Sequence, residues 1–93
     1  MIVWDEKKRQ ANLEKHDLDF VDAQWVFDNP EKVTIPSHRG GEERRMDLAM
    51  VEEIGMILAF VYVHRGEAVR AISFHIASRR ERRLYEKKCA ELN

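Results

Sequence analysis

Between Arg45 and Ile76 the apolar residues change their spacing, and that change leaves the chain few folds to choose from. Met46, Leu48 and Met50 alternate with Arg45, Asp47 and Ala49, the period of a half-buried strand. Met56 to Val63 is apolar without a break, as in a central strand covered on both faces. Val69 to Ile76 reads as the next strand. The links Glu52-Glu53-Ile54-Gly55 and His64-Arg65-Gly66-Glu67 are short and each carries a glycine, so both predict hairpins. A shorter first strand over Val33–Ile35, ended by Pro36, completes a mostly antiparallel four-stranded sheet.

Register decides which residues share a face, because a one-residue slip exchanges the two faces. Pairing Val51 with Met56 and His64 with Glu67 places Met46, Leu48, Met50, Ile57, Ala59, Val61, Ile72, Phe74 and Ile76 together. That face predicts the main core. The opposite face then shows Arg45, Leu58, Phe60, Tyr62, Ser73 and His75, a mixture suited to a groove.

Upstream of the strands the spacing is helical. Asp5 to about His16 reads as a helix, capped by Asp5 and closed by the favourable cations Lys15 and His16. A second, short helix begins at Asp19, with Phe20, Ala23, Val26 and Phe27 on one face, and stops at Asp28-Asn29-Pro30. Downstream, Ser78-Arg79-Arg80-Glu81 fits a capping box and opens a helix that runs to about Leu92. The expected fold class is α+β: two N-terminal helices, the four-stranded sheet, and a C-terminal helix.

Ninety-three residues, 44% hydrophobic, make one domain over 1–93. The single cysteine, Cys89, excludes an intrachain disulfide. The start of the chain has no apolar signal region, and Met56–Val63 is too short to cross a bilayer. The expectation is a soluble cytoplasmic protein. Histidines are scattered and Cys89 has no partner at ligand spacing, so neither metal nor cofactor is expected. A net charge of -1 conceals an asymmetry. Residues 1–63 carry 8 Lys and Arg against 13 Asp and Glu, whereas residues 64–93 carry 8 against 4. The cationic last third suits a polyanion or an acidic protein, and charge alone does not choose.

The ordered motifs WDEKKRQANLEKH, DFVDAQWVFDNP, GEER, VYVHRGE and RAISFHIASRRERRLYE resemble the BrnT family over roughly residues 3–86. The resemblance implies a RelE-like fold and a metal-independent ribonuclease toxin of a type II toxin–antitoxin system. It further implies a cognate BrnA-like antitoxin as partner, RNA as substrate, and operator DNA bound only through the antitoxin. Three positions depart from the family pattern. Asp17 follows Lys15-His16 where glycine is common, Val63 follows Tyr62 where threonine is frequent, and His75 stands where an arginine is usual.

Metal-free RNA cleavage uses the 2′-hydroxyl as nucleophile and needs a base, an acid and a cationic clamp. Arginine suits the clamp, since its planar fork matches phosphate and stays ionised. Arg65 and Arg70 are candidate clamps, or else an ordinary turn residue and a solvated strand residue. Arg44 matches a family position; Glu43 is a base, an orienter of Arg44, or half of a surface pair. His75 holds phosphate when protonated, acts as a base when neutral, or is a satisfied groove histidine. Lys15, His16, Arg45, Tyr62, Arg79 and Arg82 are candidates for RNA binding, the last two because they share a helix face three apart. His38 and His64 read as loop residues, and Tyr85 as packing for the last helix. The rival reading is a non-catalytic interaction module that binds an antitoxin or nucleic acid. A DNA-binding repressor is the weakest reading, because no helix-turn-helix pattern is present.

Overall fold

The computed structural model describes residues 1–39 and 41–92, with the side chains of His38 and Arg39 outside that description. The chain order is β1 (Ile2–Val3), α1 (Glu6–His16), a 3-10 turn (Phe20–Ala23), α2 (Gln24–Phe27), β2 (Val33–Arg39), β3 (Glu42–Val51), β4 (Met56–Arg65), β5 (Ala68–Ile76) and α3 (Arg79–Leu92).

The sheet corrects the expected fold. It has five strands, ordered β1-β5-β4-β3-β2, and it is mixed. Ile2 and Val3 pair in parallel with Val69 and Arg70, while the other pairings are antiparallel. The four-stranded RelE-like sheet of expectation omits β1, because a strand of two residues is too short to show a period. The second N-terminal helix is also smaller than expected. Its first half is the 3-10 turn and its second half, α2, is a single turn of four residues.

Local signals explain the helix ends. Asp5 caps α1 by accepting from the Lys7 amide at 2.8 Å. Asp17 ends it in the left-handed region, at φ 60°, with its amide donating to Leu13 O at 2.9 Å. Asp19 accepts from the Val21 amide and is also gripped by Arg9 through two bonds of 2.8 and 2.9 Å. At the C-terminal helix the capping box is complete: the Ser78 amide donates to Glu81 Oε1 at 2.8 Å, and the Glu81 amide donates to Ser78 Oγ at 3.1 Å.

Pro36 does not end β2. The strand continues to Arg39, because β2 is the sheet edge and a proline there removes no ladder bond on its open side. His38 and His64 therefore lie on strands rather than in loops.

The first hairpin has the expected pairing of Val51 with Met56. The second turns one residue later in the chain, with Arg65 opposite Ala68 and a Gly66-Glu67 turn whose glycine has φ 61°. A bulge then changes the face assignment. Tyr62 pairs with Ala71 but Val61 pairs with Ser73, so Ile72 is an extra residue in β5. Beyond it, Phe74 sits opposite Phe60, and His75 sits opposite Ala59.

The two faces also exchange roles, because the N-terminal elements pack on the side of Phe60 and Tyr62 rather than on that of Met46 and Leu48. The main core lies on the face of Ala49, Leu58, Phe60, Tyr62 and Phe74, closed by Phe20, Ala23 and Val26 from the N-terminal elements. Phe27 meets Phe60 and Tyr62 edge-on. The expected groove on that side does not exist. The face of Met46 and Leu48 carries a smaller cluster, with Ile57, Ala59 and Ala77 packed under Leu84 and Tyr85 of α3. Helix α1 lies against β5, where Asn12 donates to Phe74 O at 2.8 Å and accepts from the Phe74 amide at 3.0 Å. A side chain thus satisfies backbone groups that β1 is too short to reach.

Candidate functional site

Helix α3 covers only part of its face. Where it starts, the uncovered strands leave a groove of about 440 Å³ between β2, β3, β5 and α3. Its polar lining includes Ser37, Arg44, Ser73, His75, Arg80 and Glu81, over a floor that includes Met46 and Val61. Register explains the composition. Ser37 pairs with Arg44, Ile35 with Met46, Met46 with Val61 and Val61 with Ser73, and paired residues project to one side.

His75 is held at both nitrogens. Nδ1 lies 2.9 Å from Ser73 Oγ, and Nε2 lies 3.0 Å from Glu81 Oε1. An ionised carboxylate can only accept, so Nε2 carries the hydrogen and Nδ1 of the neutral ring accepts from Ser73. Burial would push the Glu81 carboxyl up, but the Ser78 amide and His75 together outweigh it and hold the group below the usual carboxylate range. His16, at the end of α1, brings its ring to a centroid distance of 5.3 Å from His75. Burial, then the neighbouring His75 and Lys15, lower the pKa of His16 from its ordinary value.

A second cluster gathers arginines at the open end of the same face. Arg65 bonds Glu42 Oε1 at 2.8 Å, and Arg44 lies 3.8 Å from Glu42 Oε2. Arg65 first, then the charges of Arg44 and Arg70, hold the Glu42 carboxyl below its usual value. Arg70 is paired with Val63 on β4. The Nε of Arg44 is sequestered from solvent and has no hydrogen-bond partner among the described residues. Such a donor carries a penalty of about 1–3 kcal/mol.

Other candidates fall elsewhere. Tyr62 is 3% exposed in the main core and donates to Asp47 Oδ1 at 3.1 Å, and burial with the Asp47 charge drives its pKa up. Asp47, fully buried, also takes Lys32 at 2.8 Å and Thr34 at 2.6 Å. Arg45 lies on that same side, 2.8 Å from His64 Nε2. Glu43 is exposed and alternates away from Arg44, so the carboxylate beside the arginines is Glu42. Lys15 is exposed. Arg79 and Arg82 are exposed too, and the guanidinium lining the groove from α3 belongs to Arg80.

Sequence reasoning therefore passed over Glu42, Arg80 and Glu81, and placed Ser73 beside His75 on one face without giving it a role. Alternation was the available signal for Glu42, which shares the parity of Arg44 and Met46. The capping box had already absorbed Glu81. A further cavity of about 330 Å³, between Trp25, Met50 and Tyr85, is rimmed by Glu31, Glu52 and Glu53 and does not suit an anion. Among the described residues no helix is long and apolar enough to cross a membrane.

A family model described as "Ribonuclease toxin, BrnT, of type II toxin-antitoxin system" matches residues 4–81. That span contains every polar residue named in the groove. Comparison with curated proteins gave no match.

Proposed function

The chain belongs to the BrnT family of ribonuclease toxins of type II toxin–antitoxin systems, and on that premise we propose that the groove under the start of α3 is its RNA-cleaving site. Membership implies an antitoxin partner and an RNA target. The finer reading is metal-independent cleavage in the cytoplasm that stops translation and growth. A BrnA-like antitoxin neutralises it and carries any contact with operator DNA.

One observation carries the assignment: His75, oriented by Ser73 and Glu81, lines the same groove as Arg44 and Arg80. An imidazole beside fixed cations is what a phosphodiester needs for proton transfer and charge neutralisation. Arg44 and Arg70 serve best as phosphate clamps, with Arg65 joining when it leaves Glu42. The under-satisfied guanidinium of Arg44 gains most from an arriving anion. Because His75 occupies a position where an arginine is usual, its chemistry here is proton transfer rather than permanent charge.

Expression of the chain with and without an antitoxin tests the reading. Growth arrest and RNA cleavage that both vanish in Arg65→Ala/Arg70→Ala, with the thermal unfolding midpoint retained, support it. A folded wild-type chain that neither arrests growth nor cuts RNA, with or without ribosomes, sinks it in favour of a non-catalytic module that binds the antitoxin.

A further inference from the structure

His16 reaches the groove's histidine from a remote part of the chain. Asn12 ties α1 to the backbone of Phe74, immediately before His75, and this sets the last turn of α1 beside β5. The two imidazole centroids lie 5.3 Å apart, with their planes tilted by 37°. Both nitrogens of His75 are engaged, by Ser73 and Glu81. Among the described residues neither nitrogen of His16 takes a hydrogen bond, so its lone pair is available.

Cleavage through the 2′-hydroxyl moves two protons at opposite ends of one phosphate. The 2′-oxygen loses a proton as the 2′-O–P bond forms. The 5′-oxygen gains one as the P–O5′ bond breaks, leaving a 2′,3′-cyclic phosphate and a 5′-hydroxyl. Concerted passage needs a proton acceptor and a proton donor together, and two neighbouring imidazoles provide both.

We propose that His16 is the base that takes the 2′-hydroxyl proton, while His75 is the acid that protonates the leaving 5′-oxygen. This inference rests on the ribonuclease reading above. The surroundings divide the roles. His16 faces Lys15 on its own helix and His75 on β5, both of which disfavour a proton on it, as does burial. His75 alone is paired with a carboxylate, that of Glu81 on α3, whose charge complements an imidazolium. As the acid the ring is an imidazolium with a hydrogen on each nitrogen, and the one delivered is on Nδ1, which faces Ser73 in the groove, while Nε2 keeps its hydrogen toward Glu81.

The test uses the purified chain on an oligoribonucleotide, and on the same strand with sulfur replacing the 5′-bridging oxygen at the link the wild type cuts. A thiolate leaves without a proton, so the sulfur substrate needs the base but not the acid. His16→Gln is expected to lower kcat by about 100-fold or more on both substrates, with KM held within about threefold. His75→Gln is expected to lose as much on the oxygen substrate and to recover on the sulfur one. His16→Asn with unchanged thermal unfolding guards against misfolding. Wild-type kcat in His16→Gln, a loss confined to KM, or recovery of His16→Gln on sulfur overturns the inference alone. A wild type that cuts no RNA overturns the ribonuclease reading and takes this inference with it.

Discussion

Glu81 holds His75 with the oxygen that also caps α3: Oε1 lies 3.0 Å from His75 Nε2 and accepts from the Ser78 amide at 2.8 Å. A residue with an evident structural purpose therefore sets the orientation of the groove's imidazole. Two substitutions separate these duties. Glutamine occupies the same capping-box position, so Glu81→Gln should stay within about 0.5 kcal/mol of wild type in urea unfolding. Glu81→Ala should lose about 1 kcal/mol. Both should lose RNA cleavage, because both remove the charge beside His75. Full activity in Glu81→Gln would reduce the carboxylate to a cap.

The arginines of α3 should not be equivalent. Arg80 lines the groove, whereas Arg79 and Arg82 are exposed outside it. Arg80→Ala should weaken RNA binding and flatten its salt dependence, since each lost phosphate contact lowers the slope by about one unit. Arg79→Ala and Arg82→Ala should leave cleavage unchanged. A filter-binding series across salt concentrations reads the difference, and equal losses in all three would mean diffuse attraction rather than a groove contact.

Asp17 holds a left-handed conformation that glycine adopts without strain. Asp17→Gly should stabilise the fold by up to about 1 kcal/mol, the strain relief being partly offset by the greater freedom of glycine in the unfolded chain. The gain appears as a higher urea midpoint at constant slope. A lower midpoint would show that the Asp17 side chain supports the helix end in some further way.

Acid should loosen the fold in two stages. The folded-state pKa of His16 lies below its ordinary value of 6.5, so the unfolded chain takes up this proton first, and stability declines as pH falls below that value. Asp19, Glu42 and Glu81 have depressed carboxyl pKa values in the fold. Their stabilisation is complete above the ordinary carboxylate range and is lost as pH falls through their folded values. Urea midpoints measured from pH 7 to pH 3 should show both stages, and His16→Gln should erase the first. A flat midpoint between pH 7 and pH 5 in the wild type would contradict the His16 assignment.

Asp47 is the most exacting polar group of the main core. It is fully buried and satisfied by Lys32, Thr34 and Tyr62. Asp47→Ala strands all three donors and leaves Lys32 without its counterion, at a cost of about 3–5 kcal/mol. Thermal denaturation measures it, and a loss below about 1 kcal/mol would mean that water replaces the carboxylate readily.

Local chemistry was legible in the sequence wherever a few adjacent residues sufficed. The Asp5 and Asp19 caps, the Ser78–Glu81 capping box, the Val51–Met56 hairpin and the buried face of Phe20, Ala23 and Val26 are as the residue pattern implies. What escaped depends on residues distant in the chain. Strand β1 has two residues and exists only because β5 offers it an edge. Pro36 reads as a terminator until β2 is known to be the edge strand. The meeting of His16 with His75 spans most of the chain and leaves no periodic trace.

The extra residue at Ile72 decides which side chains reach each site. Paired without a bulge from Arg65–Ala68 onward, β5 would set Ile72 opposite Val61, Phe74 opposite Ala59 and His75 opposite Leu58. Phe74 would then swing out toward α3, while Ser73 and His75 would be driven into a space shaped for an aromatic ring. No chemical group would have changed, yet both sites would be lost. Along this strand the instruction for function is carried by a count of residues as much as by their kind.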